Sequence, residues 1–202
     1  MAGVEIDGAN NKIELNTGAA AADQHILFNG NAQDFYIALD DSADDLLIGL
    51  GSTVGTTPII SVDENKDVAI PDGGLTITTS DNTAQLTLTS TDADANTGPL
   101  IVLNRDSGSP ADNDACGNIQ FKADDDGGNS TELASINATF TDVSNGAEDA
   151  TFGISSVIGG SQMSRFKATA SETALNDDSG DIDFRVESNN NAQLIKVDAG
   201  DD

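Results

Sequence analysis

"DFYIALDDSADDLLIGLG", Asp34 to Gly51, is the stretch on which the fold turns. After Asp34-Phe35 comes an alternating run, then an Asp-rich turn, then Leu47-Ile48-Gly49-Leu50. A period of two on both sides of turn residues reads as a short β-hairpin. "SADDLLIGL" within it comes nearest to a helical period anywhere in the chain, and its glycines weaken that alternative. The module recurs at the far end as "DFRVESNNNAQLIKVDAGDD", Asp183 to Asp202. There Phe184 and Val186 alternate with polar neighbours, Asn189-Asn190-Asn191 turns the chain, and Ile195 and Val197 resume the alternation.

Outward from the first module, the chain to about residue 79 is a string of such signals. "VEIDGANNKIEL" alternates, turns through Gly8-Ala9-Asn10-Asn11 and alternates again. "ILFNGNAQDFYIAL" sets Asn29-Gly30 between apolar runs, the strongest short hairpin signal. "IISVDENKDVAI" repeats the opening design, and "LIKVDAGDD" starts it once more. The spacing is irregular, so these are loose repeats and not a solenoid. "PDGG" at 71–74 marks a break. A Thr-rich β pair is expected in "LTITTSDNTAQLTLTSTDADANTG", with Leu75, Ile77, Leu86 and Leu88 on one face. Longer strands are expected in "PLIVLNRD", "GNIQFKAD", "ELASINATFTD", "ATFGISSV" and "SRFKATA". The whole reads as all-β: a hairpin stem over 1–79, a β-sandwich-like knob over 80–174, and a second hairpin stem over 175–202.

Composition adds a constraint. Leu, Ile, Val and Phe together number 46 of 202 residues, and there is no Trp. That share lies just above the level at which a highly charged chain stays disordered. A monomer with so little bulky apolar surface struggles to offset its conformational entropy. Since the apolar residues are nevertheless ordered in pattern, other copies of the chain are expected to complete the core.

The net charge is −27, carried by 28 Asp and 7 Glu against 8 basic residues. Such a charge argues against nucleic acid and anionic membrane surfaces as partners. It suits solubility in salt water, where screening weakens self-repulsion, and so a marine or halophilic setting. The Asp bias fits turns between strands. Cys116 stands alone, so no intrachain disulfide framework exists, and it reads as a small buried apolar residue. The N-terminus has neither the basic segment nor the apolar stretch of a signal peptide, and no apolar run approaches membrane-spanning length.

Chemistry-bearing patterns are few. "DADANTG" gives Asp92, Asp94 and Asn96 the D-x-D-x-N spacing that offers oxygens to Ca²⁺. Its Gly falls one place late for an EF-hand loop, and Leu103 stands where a bidentate Glu belongs. A solvated turn is the plainer account of these three residues, and no other cofactor is expected. Glycan cleavage would need a carboxylate pair, which the sequence does not nominate. His25, the sole histidine, sits at a strand start and reads as a strand-edge residue. Asn129-Ser130-Thr131 and Asn137-Ala138-Thr139 match the glycosylation pattern but read as ordinary strand and turn residues.

The run "SGSPADNDACGNIQFKADDDGGNSTELASINATFTDVSNGAEDATFGISSV", Ser107 to Val157, resembles a segment of tail-fibre and related structural proteins of tailed bacteriophages, marine ones in particular. The matching features are "ADND" before "GNIQF", then "ASI", then "DVSNGAED". "NDDSGDIDFRVESNNNAQLIKVDAG" is similar to a linker that follows that segment, and "LLIGLGSTVGTTP" adds a weaker match. The resemblance implies a non-enzymatic virion fibre, an interwoven parallel homotrimer found on virions outside the cell after lysis. Its implied partners are other virion proteins and a host-surface glycan or protein receptor, without nucleic acid or membrane insertion. It departs from the family in lacking a coiled-coil stem and in showing no self-cleaving chaperone domain after Asp202. The alternatives are a capsid-decorating spike with no receptor role, a glycan-depolymerising tailspike, and a cellular surface-layer protein or adhesin.

Overall fold

The structure, a computed structural model, describes residues 4–10, 12–15, 22–178 and 180. Among them every helical or strand element is a β-strand, and every ladder is antiparallel. The chain divides into two units, Met1–Leu88 and Thr89–Asp202. The C-terminal hairpin module expected over 175–202 falls, beyond Asp178, almost wholly outside the described residues.

In the first unit, β1 (Val4–Asp7) and β2 (Lys12–Leu15) form a two-stranded hairpin. Five further strands make a meander in chain order. They are β3 (Gln24–Phe28), β4 (Phe35–Asp40), β5 (Asp45–Leu50), β6 (Pro58–Val62) and β7 (Val68–Ala69). Asparagine-glycine does not make the tight turn between β3 and β4 that its sequence suggests. The ladder ends at Phe28↔Phe35, leaving residues 29–34 as a longer loop in which the Gly30 amide donates to Asp34 Oδ1.

Aspartate makes the turns, and local hydrogen bonding explains why. Asp40 Oδ1 accepts from both the amide and the hydroxyl of Ser42, and Asp44 adopts the left-handed φ of 57° that closes the β4–β5 turn. Between β6 and β7, Asp63 Oδ1 accepts the amides of Asn65 and Asp67, each at 2.9 Å.

One face of this sheet is closed by the chain itself. Tyr36, Ala38 and Leu47 are its buried apolar residues, with Leu27 and Val54 packed against them. Val54 comes from the loop after β5, which is tied back by Leu50 N–H to Thr57 O and Gly51 N–H to Asp34 O, both 2.9 Å. These three side chains are the entire buried apolar core among the described residues.

In the second unit, β8 (Asp114–Asp124), β9 (Ser130–Asp142), β10 (Asp149–Ile158), β11 (Ser161–Ala168) and β12 (Thr173–Leu175) form another five-stranded meander. Asp125 and Asp142 cap its first two turns: Asp125 Oδ1 accepts the amides of Gly127 and Asn129, and Asp142 Oδ1 that of Ser144. A single sheet stands here where the sequence suggests a sandwich-like knob. A second layer is not formed by the described residues of one chain.

Two expected strand regions form no ladder. From Asp72 to Asp106 every residue is exposed, and no backbone–backbone hydrogen bond among the described residues involves Asp72 to Pro110. The Thr-rich pair therefore does not close on itself, and "PLIVLNRD" joins no sheet. A lone two-stranded hairpin has nothing against which to bury its apolar face, which makes it marginal in water.

Candidate functional site

The residues with most to do are those that no described residue of their own unit covers. In the first sheet, cross-strand registers line up Ile26, Ile37, Ile48 and Ile60 in one row. Phe28, Phe35 and Leu50 form a second row, and Leu39, Leu46, Val62 and Val68 a third. All lie on the face opposite Tyr36. Ile37 is 43 % exposed and Ile48 40 %, although both stand in central strands. Contiguous apolar surface of this kind on a soluble protein marks an interaction surface.

The second sheet repeats the arrangement. Ile119, Ile136, Ile154, Phe166 and Leu175 pair across all five strands. Phe152, on the same face, meets Phe166 edge-on with ring centroids 6.1 Å apart. Phe121, Ile119, Phe152, Ile154 and Leu175 remain exposed. Gly117 leaves room beside this face for Leu103, because a Cβ at Gly117 would stand 3.0 Å from Leu103 Cβ. Arg105 anchors the same segment, donating to Asp114 Oδ1 at 3.0 Å and to Ala115 O at 3.2 Å.

The other face of the second sheet is polar. Asn137, Gly153 and Lys167 pair in one row, with Ser135 and Ser155 beside them. Ser135 is buried and bonds to Ser155 Oγ at 2.8 Å, so its hydroxyl is satisfied. Asn137, Thr151, Ser155, Ser164, Lys167 and Asp178 line a shallow open cleft. Lys167 Nζ pairs with Asp177 Oδ2 at 2.8 Å, and that carboxylate raises the lysine's pKa. One sheet thus presents an apolar side suited to packing and a polar side suited to water or a polar ligand.

Asp92, Asp94 and Asn96 occupy an exposed run of turns in the second unit. Asp94 accepts both the backbone amide of Asn96 and its side-chain Nδ2, each at 2.7 Å, and Asp92 Oδ1 accepts the Asp94 amide at 3.4 Å. The Asn96 amide is the main cause holding Asp94 below the ordinary carboxylate range. Asp92 Oδ1 and both Asp94 oxygens are thus engaged in local turns. Among the described residues, no three or more His, Cys, Asp or Glu side chains are gathered as a metal set.

The remaining singled-out residues fall in ordinary places. His25 is exposed on β3, an edge strand. Cys116 is half-buried, not buried as its sequence suggests: it is the extra residue of a bulge where Ala115 pairs with Thr139 but Gly117 with Ala138. Asn129 sits in the Asp125 turn, and Asn137 in the middle of β9. No helix among the described residues is long and apolar enough to cross a membrane.

The open apolar faces had a signal in the sequence. The period of two taken for these strands understates them: "FYIAL" and "LLIGL" carry no charged residue at either parity, and such continuity means that both faces of a strand are to be covered. Comparison with protein-family models, with curated proteins and with solved structures finds no match.

Proposed function

We propose that this chain is a non-enzymatic structural subunit of a phage-like virion, a homotrimeric tail or capsid fibre that meets the host surface. The observation that carries the reading is the pairing of a minimal core with two open apolar sheet faces. The three buried apolar side chains among the described residues do not sustain two five-stranded sheets, whereas faces joined between copies would supply the missing burial. The acidic turns keep such an assembly soluble, and the resemblance of Ser107–Val157 to fibre segments supplies the class.

Binding would then be multivalent. Three copies of each loop and of the polar cleft around Asn137 and Lys167 raise effective concentration without a tight single site.

The test is imaging of phage particles whose genome encodes this sequence, using a chain-specific antibody. Label on slender projections at the tail supports a tail fibre, and label at capsid vertices or hexamer centres moves the chain to the capsid. Virions free of the chain would contradict the proposal.

A further inference from the structure

We infer that Leu75–Thr79 of one copy forms a β-ladder with Ala84–Leu88 of a neighbouring copy, an exchange of strands that the single chain leaves open. The inference rests on the assembly reading above and names the contact that stitches it.

The two segments, "LTITT" and "AQLTL", each alternate apolar with polar residues and carry β-branched residues suited to strands. They are matched in length and pattern, with Leu75 and Ile77 set to meet Leu86 and Leu88 on one face. Yet the chain, although it bends at Ser80–Asn82, forms no ladder between them. Leu75 is 72 % exposed and Leu86 67 %. The bend itself is held locally, by the Thr83 amide on Asp81 Oδ1 at 2.9 Å. Each arm is therefore an edge that lacks its complement, and the complement exists in every other copy.

Charge selects a second copy over an unrelated partner. From Gly73 to Asn104 the only charged residues are Asp81, Asp92 and Asp94, and none lies within either arm. In a chain of net charge −27, arms without charged residues let two copies approach without like charges meeting within the ladder. A basic or acidic partner would find no complementary side chain there.

The test uses the full chain with Cys116→Ser as background. Antiparallel pairing across a turn at 80–83 sets Thr76 opposite Thr87 and Thr78 opposite Gln85. Two double variants, Thr76→Cys/Thr87→Cys and Thr78→Cys/Gln85→Cys, are oxidised and run on denaturing, non-reducing gels. Exchange predicts a covalent ring of three chains in at least one variant, reversed by reductant. A covalent monomer means that the arms close within one chain, and an absence of any crosslink means that they do not pair; either overturns the inference. Sedimentation of the unoxidised protein separates the two levels: trimers without interchain crosslinks refute only the strand exchange, whereas monomers refute the assembly itself.

Discussion

The ring of Tyr36 packs against Gly49, its register partner on β5, so closely that a Cβ at Gly49 would stand 2.2 Å from Tyr36 Cζ. Tyr36 is 1 % exposed, so its ring sits inside the core and not at a surface where it could swing out into water. Gly49→Ala is therefore expected to destabilise the first unit by about 1–3 kcal/mol through overpacking. Thermal unfolding followed by circular dichroism measures it. An unchanged midpoint would mean that the Tyr36–Gly49 contact does not hold the sheet.

The hydroxyl of the same tyrosine is buried without a hydrogen-bond partner among the described residues. Removing a buried, unpaired polar group is favourable, so Tyr36→Phe is expected to raise stability by up to about 1 kcal/mol. Tyr36→Ala, which empties the core, is expected to cost about 3–5 kcal/mol. A clear loss on Tyr36→Phe would show that the hydroxyl is bonded in the native assembly.

Ile37 and Ile154 sit mid-row on the two open faces. A lysine at either site costs little in an isolated chain, where the side chain reaches water. In a face-joined assembly, each copy loses burial of an Ile worth about 1.5–3 kcal/mol and gains a desolvated charge. Ile37→Lys and Ile154→Lys are thus expected to shift the protein toward smaller species by about tenfold or more in dissociation constant. Sedimentation at a series of concentrations reads this. Equal masses for parent and variants would remove these faces from the interface.

Acid acts through the turns. The carboxyl of Asp125 is held below its ordinary 3.8, chiefly by the amide of Asn129. A depressed folded value makes the contribution fully present above 3.8 and lost as pH falls through the lower folded value. Asp63 and Asp142 shift in the same direction, through the Asp67 amide and the Ser144 side chain respectively. Asp125→Ala should therefore unfold at a lower temperature than the parent at neutral pH, and the two curves should converge in strong acid. A gap that persists after protonation would assign the effect to lost packing.

Most strand positions were legible because period and turn chemistry are local properties. Asp63, Asp125 and Asp142 each stand at a turn that their own side chain closes, so the sequence marks β6–β7, β8–β9 and β9–β10 directly. What local pattern does not carry is the partner. "LTITT", "AQLTL" and "PLIVL" have the composition of strands, but a ladder also needs a surface to cover, and the described residues of one chain give these segments none. The same gap separates a sandwich from the single sheet of β8–β12. At Asp92, Asp94 and Asn96, spacing marks an oxygen-rich turn, and what it does not carry is the local bonding: Asp92 Oδ1 and both Asp94 oxygens accept from neighbouring N–H groups.

The most direct test is the mass of the intact protein in solution, measured by sedimentation equilibrium down to nanomolar concentration with secondary structure followed in parallel. The expected result is a species of three times the 20.7 kDa chain, whose β-structure is lost when dilution or denaturant separates the copies. A single chain that keeps its cooperative fold at the lowest concentration would contradict it.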